Sequence, residues 1–209
     1  MRIQLIILSF LLLVAVQNNL ASVGADPGAA PPVAAAGPVA KEREEDGDRL
    51  ERQQQLPAIT AAFALRTTRA RAHRLAYLCY ETTLDTPFKP IDLAEIALAE
   101  TGGHYLSSHA VSSEGALGVW QLMPQRARSH GYSPAEMKHD EKCAAAAVRE
   151  LKEKLKVADG NLMAAKRLYC GSGRQARIYE TKIRKYRREI MGRMAAAQGR
   201  NPAPALSTS

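Results

Sequence analysis

Apolar residues recur every three or four positions through most of the chain between about residues 57 and 196. No stretch there alternates apolar and polar residues with the enrichment in Val, Ile, Thr and aromatic residues that is typical of strands. The first helix is predicted to begin at Pro57, to run through Leu75, and to end near the helix breakers Pro87 and Pro90. The pattern therefore predicts an all-α domain.

Capping and turn residues divide the rest of this domain into six further helices. Asp92, with Glu95 three residues later, has the spacing of a capping box, and its helix is predicted to end at Gly102. Ser133, followed by a proline and by Glu136, opens a short helix in a similar way. Seven helices joined by tight turns predict a compact globule. The other four are predicted from Gly118 to Arg128, from Asp140 through residue 157, over residues 162–170, and from about Arg174 to Ala196.

The two ends of the chain differ in composition from this domain. An arginine precedes an apolar run over residues 5–16, and small residues follow as far as Ala25. This order predicts a secretory signal peptide over residues 1–25, because the run is shorter than the roughly 20 residues of a membrane-spanning helix. An uncleaved membrane anchor is the alternative. We expect an exported protein, periplasmic or in the cell envelope, with no stable membrane span.

The remaining boundaries follow from charge and from proline content. Residues 26–56 are first rich in proline and alanine and then charged, with little to bury, and are predicted to be a linker. Residues 57–196 are predicted to form the single domain. Residues 197–209 are predicted to be a disordered tail.

The formal net charge of +8 is concentrated in a few segments. Residues 174–193 contain eight basic and two acidic side chains, and residues 66–74 contain four arginines. Such a surface favours an anionic partner such as a cell-wall polymer, a membrane surface or nucleic acid, whereas a solvated helix face is the simpler interpretation. The signal peptide and the single tryptophan argue against nucleic acid, which stacks on aromatic side chains. We expect no nucleic-acid partner.

Three cysteines, Cys79, Cys143 and Cys170, allow one disulfide with three possible pairings, or buried free thiols. Their spacings of 64 and 27 residues lack the close pair that is typical of zinc sites. We therefore expect no metal and no cofactor.

Glu100 is the candidate for acid–base chemistry. It follows the apolar residues 96–99 at the C-terminal end of its predicted helix. The negative end of the helix dipole and partial desolvation both disfavour a charged carboxylate there, so both raise its pKa. A carboxyl group that stays protonated near neutral pH suits a general acid, although a glutamate at a helix end is more often simply solvated.

The stretch EGALGVWQLMP, residues 114–124, adds groups that suit a ligand. Gly115 and Gly118 allow a close approach of the backbone, and Trp120 and Gln121 offer a flat apolar surface and an amide that both donates and accepts. Together they suit a sugar that carries an N-acetyl group. Tight helix packing by the glycines and a core tryptophan are the alternative.

Three motifs, in order, resemble those of the lytic transglycosylases with a lysozyme-like domain, over about residues 90–186. The helix end Glu100-Thr101 resembles the first motif, and SSEGALGVWQLMP, which contains Ser112, resembles the long and specific second motif. AKRLYCGSG resembles the third, with Tyr169 in register, although Tyr169 taken alone fits a core residue equally well. Residues 179–186, YETKIRKY, resemble the closing segment of the family.

The resemblance implies cleavage of the β-1,4 bond between N-acetylmuramic acid and N-acetylglucosamine in peptidoglycan. Glu100 would protonate the leaving oxygen while the N-acetyl group of the substrate assists, the substrate-assisted exception to hydrolysis with two carboxylates. It would then take a proton from the muramyl C6 hydroxyl and leave a 1,6-anhydro end. The substrate-binding residues that the resemblance implies are Ser112, Gly115, Ala116, Gly118, Gln121 and Tyr169.

The chain departs from the family pattern at three places. Ser112 follows Glu100 by twelve residues, about three more than is usual in the family, so the loop between them is rebuilt. Cys170 replaces the usual asparagine, and Trp120 stands where an aliphatic residue is usual and is expected to reshape a sugar subsite. His104 in the rebuilt loop is either an exposed loop residue or a substrate contact.

Two alternatives to a lytic transglycosylase stay open. One is a hydrolase of the goose-lysozyme type on the same fold, and the other is a non-catalytic peptidoglycan-binding scaffold. The small size and single domain resemble transglycosylases that serve an envelope-spanning secretion or conjugation complex. They imply such a complex as a partner in addition to peptidoglycan.

Overall fold

The computed structural model describes residues 38–199, with side chains from residue 45 onward. The predicted signal peptide, the first part of the predicted linker and the end of the predicted tail lie outside these residues. The described residues are helical, without a strand beyond isolated bridges, which confirms the all-α prediction. The α-helices are α1 (Pro38–Gln54), α2 (Leu56–Ala64), α3 (Arg69–Thr83), α4 (Pro90–Thr101), α5 (Pro124–Ser129), α6 (Asp140–Val157), α7 (Leu162–Cys170) and α8 (Gly173–Gly199).

The charged segment before the predicted domain forms α1, which corrects this part of the linker prediction. The segment has little apolar surface, but Arg52 near its end is only 5% exposed. The guanidinium of Arg52 donates to the backbone carbonyl oxygens of Thr83, at 2.9 Å, and of Thr86, at 3.1 Å. Arg52 thereby satisfies carbonyl groups at the end of α3, and this polar contact attaches α1 to the helices that follow.

The first predicted helix is two helices, α2 and α3, with a break over residues 65–68. Thr68 has an extended backbone, and its side chain accepts a hydrogen bond from the backbone N–H of Arg71 at 3.4 Å. The pattern of apolar residues continues across the break because α2 and α3 pack against each other in one core. Hydrophobic spacing alone therefore did not reveal the turn.

Helix α4 is the centre of the domain. Every residue from Ile91 to Ala99 is buried, and α2, α3, α6 and α8 pack around it. A helix that is buried on all sides needs apolar residues on all sides, which its sequence supplies with two exceptions, Asp92 and Glu95. Asp92 is the third residue of α4 and not its cap, because its Oδ2 accepts the backbone N–H of Lys89 at 2.7 Å.

The predicted helix from Gly118 to Arg128 is a turn followed by the short helix α5. Gly118 and Gln121 both have positive φ angles, of 74° and 51°, which interrupt a helix. A Cβ atom on residue 118 would lie 2.3 Å from the carbonyl oxygen of Met137. Only glycine fits here, so this glycine fixes the turn against the segment before α6.

The second half of the domain follows the predictions closely. Helices α6 and α7 have the predicted bounds, and α8 extends the predicted basic helix by a few residues at its C-terminal end. The predicted short helix is a 3-10 helix over Pro134–Lys138 with a capping box between Ser133 and Glu136. No helix in the described range 38–199 is both long and apolar enough to cross a membrane.

All three cysteines are free thiols. Cys79 and Cys143 are buried in the core, whereas Cys170 is exposed. Burial raises the pKa of the Cys143 thiol to about 12 and that of Cys79 further still. Of the two alternatives left open by the sequence, the structure has the free thiols and no disulfide.

Candidate active site

A cavity of about 320 Å³ opens at the C-terminal end of α4. Its floor includes Glu100 and Thr101, in the last turn of that helix, and its opposite wall comes from the segment that leads into the glycine-rich turn. Most of the lining side chains are polar, and the two apolar ones belong to the opposite wall. The lining residues are Glu100, Thr101, His104, Ser107, Ala110, Val111, Ser112 and Gln121.

The carboxyl group of Glu100 is partly buried, and no basic side chain of the described chain lies within ion-pair distance of it. Burial raises its pKa from the ordinary value of 4.5 to about 7. The hydroxyl of Tyr179 and the positive charge of Lys182 on α8 lower this pKa, but they do not offset the desolvation. The Glu100 carboxyl is therefore protonated over much of the range up to neutral pH, as a general acid needs to be.

Tyr179 faces this carboxyl from α8. Its side chain is only 4% exposed, and its hydroxyl has no partner that meets ordinary hydrogen-bond geometry. The hydroxyl is nevertheless close enough to Glu100 to act on the pKa of that group as a donor. Tyr179 therefore brings a buried hydroxyl next to the candidate acid.

Gln121 and Ser112 bring free hydrogen-bonding groups to the wall opposite Glu100. The Gln121 side-chain amide donates to the carbonyl oxygens of Gly118, at 2.8 Å, and Ala110, at 3.3 Å, which leaves its own carbonyl oxygen free to accept. The Ser112 hydroxyl oxygen accepts the backbone N–H of Ala116 at 3.0 Å, which leaves its hydrogen free to donate. The wall can therefore both donate to and accept from an amide-bearing ligand.

Tyr169 lies beneath the cavity and does not line it. Its hydroxyl donates to the backbone carbonyl oxygen of Trp120 at 2.8 Å. The charge of Glu100 helps to raise the pKa of Tyr169 well above its ordinary range, after burial, which is the larger cause. Tyr169 thus contacts the turn that carries Gln121 and lies electrostatically near Glu100.

Trp120 is a core residue, which corrects the prediction that it offers a sugar-binding surface. The side chain is fully buried, and its indole N–H donates to the carbonyl oxygen of Leu93 in α4 at 3.0 Å. Thr101 ties the same turn to α4, because its hydroxyl donates to the carbonyl oxygen of Val119 at 2.8 Å. The larger aromatic ring replaces an aliphatic residue inside the core and not in a subsite.

The structure does not bring Gly115, Ala116 and Gly118 into contact with the cavity. Gly115 has a φ of 82°, and a Cβ atom there would meet open space. Ala116 is buried and pairs with Ser112 through its backbone, and Gly118 packs against Met137 and the Cys143 sulfur. These three residues shape the backbone that carries Ser112 and Gln121.

A buried ion network on α4 was missed by sequence reasoning. Asp92 and Glu95 are at most 2% exposed, and both contact the ammonium group of Lys166, which is 1% exposed. Arg187 of α8 also contacts Asp92 and donates to Glu95 at 2.9 Å. Arg187 thus pairs with buried carboxylates of the domain, so the basic helix α8 is not simply a solvated face.

One group of side chains in the described range could place metal ligands together, namely His130, Glu150 and Glu153. Arg126 donates to Glu150 at 2.6 Å, and Lys154 lies 3.2 Å from the same carboxylate. Glu150 also bonds His130 at 2.8 Å. Basic side chains therefore already supply the positive charge that a metal ion would bring, and we assign no metal to this cluster.

Two roomier cavities, of about 700 and 580 Å³, lie next to α2. Small residues of α2 line both of them. The only carboxyl group in either is that of Glu189, which is paired with Arg66 at 2.8 Å. Neither cavity holds a candidate acid, and the chemistry belongs with Glu100.

The helical architecture and the cavity define the class of this domain: it is all-α and lysozyme-like, with one carboxyl group of raised pKa in a polar cleft. Residues 88–189 match the family described as Transglycosylase SLT domain. Proteins with this domain act on peptidoglycan in the cell envelope. No curated protein and no solved structure matches the chain significantly.

Proposed function

We propose that this protein is a lytic transglycosylase that cleaves the β-1,4 bond between N-acetylmuramic acid and N-acetylglucosamine and leaves 1,6-anhydromuramic acid ends. Glu100 first acts as the general acid and protonates the leaving glycosidic oxygen. The ionised Glu100 then acts as the base that removes the proton of the muramyl C6 hydroxyl as that oxygen bonds to C1. The proton that leaves in the first step is replaced in the second, so the enzyme returns to its starting state.

The observation that carries this proposal is the desolvated carboxyl group of Glu100, with its raised pKa, in a cavity that it shares with Ser112 and Gln121. A group with a pKa of about 7 donates and accepts protons with nearly equal ease at neutral pH, which suits a residue that does both. The free groups of Ser112 and Gln121 suit the N–H and C=O of an acetamido group. Tyr169 supports the turn that carries Gln121, and Gly115, Ala116 and Gly118 shape it.

A single carboxyl group favours substrate assistance. Of the described residues that line the cavity, only Glu100 has a carboxylate. Without a second carboxylate to stabilise the sugar cation or to form a covalent intermediate, the acetamido oxygen of the substrate takes that part. Ser112 and Gln121 would hold the acetamido group in place for this step.

A digest of peptidoglycan, followed by measurement of the product masses, tests the proposal. Purified peptidoglycan is digested with the wild-type protein and with the Glu100→Gln variant, and the products are measured by mass spectrometry. We expect anhydro ends from the wild type and no cleavage by the variant, with both proteins folded by circular dichroism. Reducing ends would identify a hydrolase of the goose-lysozyme type, and binding without cleavage by the wild type would identify a non-catalytic scaffold.

The proposed setting of this reaction is the cell envelope. Export is supported by the predicted signal peptide. A role in local wall opening, in service of an envelope-spanning secretion or conjugation complex, is supported by the match of residues 88–189 to a peptidoglycan-acting domain. The exposed cations of α8 favour attachment to an anionic wall. If this attachment is electrostatic, binding to purified sacculi weakens steadily as salt is raised, since the Debye length shortens to roughly 3 Å at 1 M salt.

A further inference from the structure

The loop between Glu100 and Ser112 is longer than the family resemblance implies, and it contributes to the lining of the cleft. It begins with the 3-10 helix Gly102–His104 and includes two consecutive residues with positive φ, Tyr105 at 57° and Leu106 at 51°. Neither is glycine, so the loop holds a conformation that these side chains disfavour. Surrounding contacts must impose this conformation.

Those contacts are centred on Leu106. Its side chain is fully buried, and its backbone N–H donates to the carbonyl oxygen of Thr101 at 3.0 Å. The carbonyl oxygen of Leu106 accepts two hydrogen bonds from the guanidinium of Arg71, at 2.7 and 3.1 Å. Arg71 is itself held by both carboxylate oxygens of Asp140, at 2.8 and 3.1 Å. The inserted loop is therefore fixed to α3 and α6.

This anchoring places two side chains of the loop in the wall of the Glu100 cavity, His104 and Ser107. The His104 ring is exposed and has no hydrogen bond or ion pair with any residue of the described chain. The Ser107 hydroxyl oxygen accepts the backbone N–H of His109 at 3.2 Å, which leaves its hydrogen free. Both side chains can therefore bond a ligand without breaking a contact in the protein.

The lining of the cavity indicates which part of a ligand they meet. It contains no lysine or arginine among the described residues, and its only carboxyl group is the candidate acid. A carboxylate of a stem peptide would find no permanent positive charge in this wall, whereas hydroxyl and acetamido groups would find donors and acceptors. The wall suits a neutral sugar.

We propose that His104 and Ser107 form a sugar-binding wall, which bonds hydroxyl or acetamido groups of an N-acetylhexosamine in the cleft. The inference rests on the proposed function, because it takes the cavity as a glycan site. If the proposal holds, the loop between Glu100 and Ser112 takes part in binding the substrate.

The test uses the β-1,4-linked hexamer of N-acetylglucosamine, which lacks stem peptides, and the Glu100→Gln variant, which cannot consume it. Binding is measured by calorimetry for this variant alone and with His104→Ala, His104→Gln, Ser107→Ala or His109→Ala added. His109 is the matched control, since it is an exposed histidine of the same loop outside the Glu100 cavity. We expect about tenfold weaker binding with His104→Ala, a smaller loss with Ser107→Ala, partial recovery with His104→Gln and no change with His109→Ala.

Each outcome decides the proposal. Equal binding by the His104→Ala and His109→Ala variants overturns it, as does a hexamer that does not bind at all. A loss seen only on whole sacculi and not with the hexamer also overturns it, because the contact would then be to the stem peptide. Cleavage of sacculi by the wild-type protein is measured in parallel, so that the proposed function can fail while the histidine-dependent binding stands, or the reverse.

Discussion

Helix α4 carries two glutamates with opposite surroundings, Glu95, which is buried, and Glu100, which is partly buried. Glu95, in the middle of the helix, contacts Lys166 and Arg187. Glu100, five residues later, has a tyrosine hydroxyl and a more distant lysine as its nearest polar influences. Burial raises the pKa of both carboxyl groups, but only at Glu95 do two adjacent cations counteract it.

The two glutamates differ in role: Glu95 is structural, whereas Glu100 is the candidate for acid–base chemistry. A buried carboxylate with two cations stays in place and holds α7 and α8 against α4. A partly buried carboxyl group without a close cation, as at Glu100, holds its proton to higher pH and can then donate it. The same residue type on the same helix thus serves either purpose, and the nearby positive charge decides which.

The largest effect is expected from removing the cation in the middle of the helix. Lys166→Met leaves Asp92 and Glu95 with Arg187 as their only cation, and breaking a buried ion pair in this way costs about 3–5 kcal/mol. We expect the urea midpoint of unfolding to fall accordingly. Arg74→Met, which removes an exposed pair with Glu141, should leave the midpoint where it is; a similar midpoint for both variants would mean that the network contributes no stability.

The second effect concerns the stability of the protein and not its activity. Because the folded pKa of Glu100 is raised from 4.5 to about 7, the group favours the folded state below pH 4.5, and this contribution is lost as the pH rises through 7, by up to about 3 kcal/mol. The Glu100→Gln variant has no titrating group at this position, so its stability does not fall for this reason as the pH rises. We expect it to be more stable than the wild type at pH 8, with a smaller difference at pH 4.5, in paired urea titrations.

A constant difference between these two proteins across the pH range would contradict a raised pKa at Glu100. Such a result would leave the candidate acid ionised at neutral pH. The contrast with Glu95 would then disappear.

The third effect is a shift of the pH profile. Tyr179→Phe removes the donor that lowers the pKa of Glu100, so the pKa rises further. We expect the fall of kcat/KM at high pH to move to higher pH, with activity at pH 8 raised a few-fold relative to activity at pH 6. Tyr77→Phe, an exposed tyrosine of α3, is the control; identical profiles for both variants would remove Tyr179 from the surroundings of the acid.

The smallest effect is expected from Lys182. Its positive charge also lowers the pKa of Glu100, less than Tyr179 does, and it is exposed to solvent. Lys182→Met should move the same limb of the pH profile in the same direction by a smaller amount. Added salt should reduce the difference between this variant and the wild type, because solvent-exposed charges are screened. A difference that salt does not change would indicate a contact other than charge.

Much of the helical framework could be predicted because it depends on local signals. The bounds of α6 and α7 follow from Asp140, from the Asn161 cap, and from the glycines after each helix. Glu100 could be singled out because the apolar residues before it mark the end of a buried helix. Its pKa of about 7 agrees in direction with that reasoning, which rested on the helix dipole and on desolvation, and desolvation is the largest cause in the structure.

Other features depend on contacts between distant segments, which spacing does not reveal. The partners of Glu95 lie 71 and 92 positions further along the chain. The sequence suggests either a sugar surface or a core residue for Trp120, and the choice depends on α4, which supplies the acceptor for its indole N–H. Tyr179 had one signal, its place in the closing motif, but nothing in that motif shows that it faces Glu100.

The length of α8 has a consequence for how this domain can vary. The helix has 27 residues and extends about 40 Å. Tyr179 near its start faces Glu100, and Glu189, further along the helix, bonds Arg66 in the turn after α2. Inserting or deleting one residue between these points would rotate one end by about 100° relative to the other. Exposed side chains of α8 are free to change in related chains, but the number of residues from 179 to 189 is not.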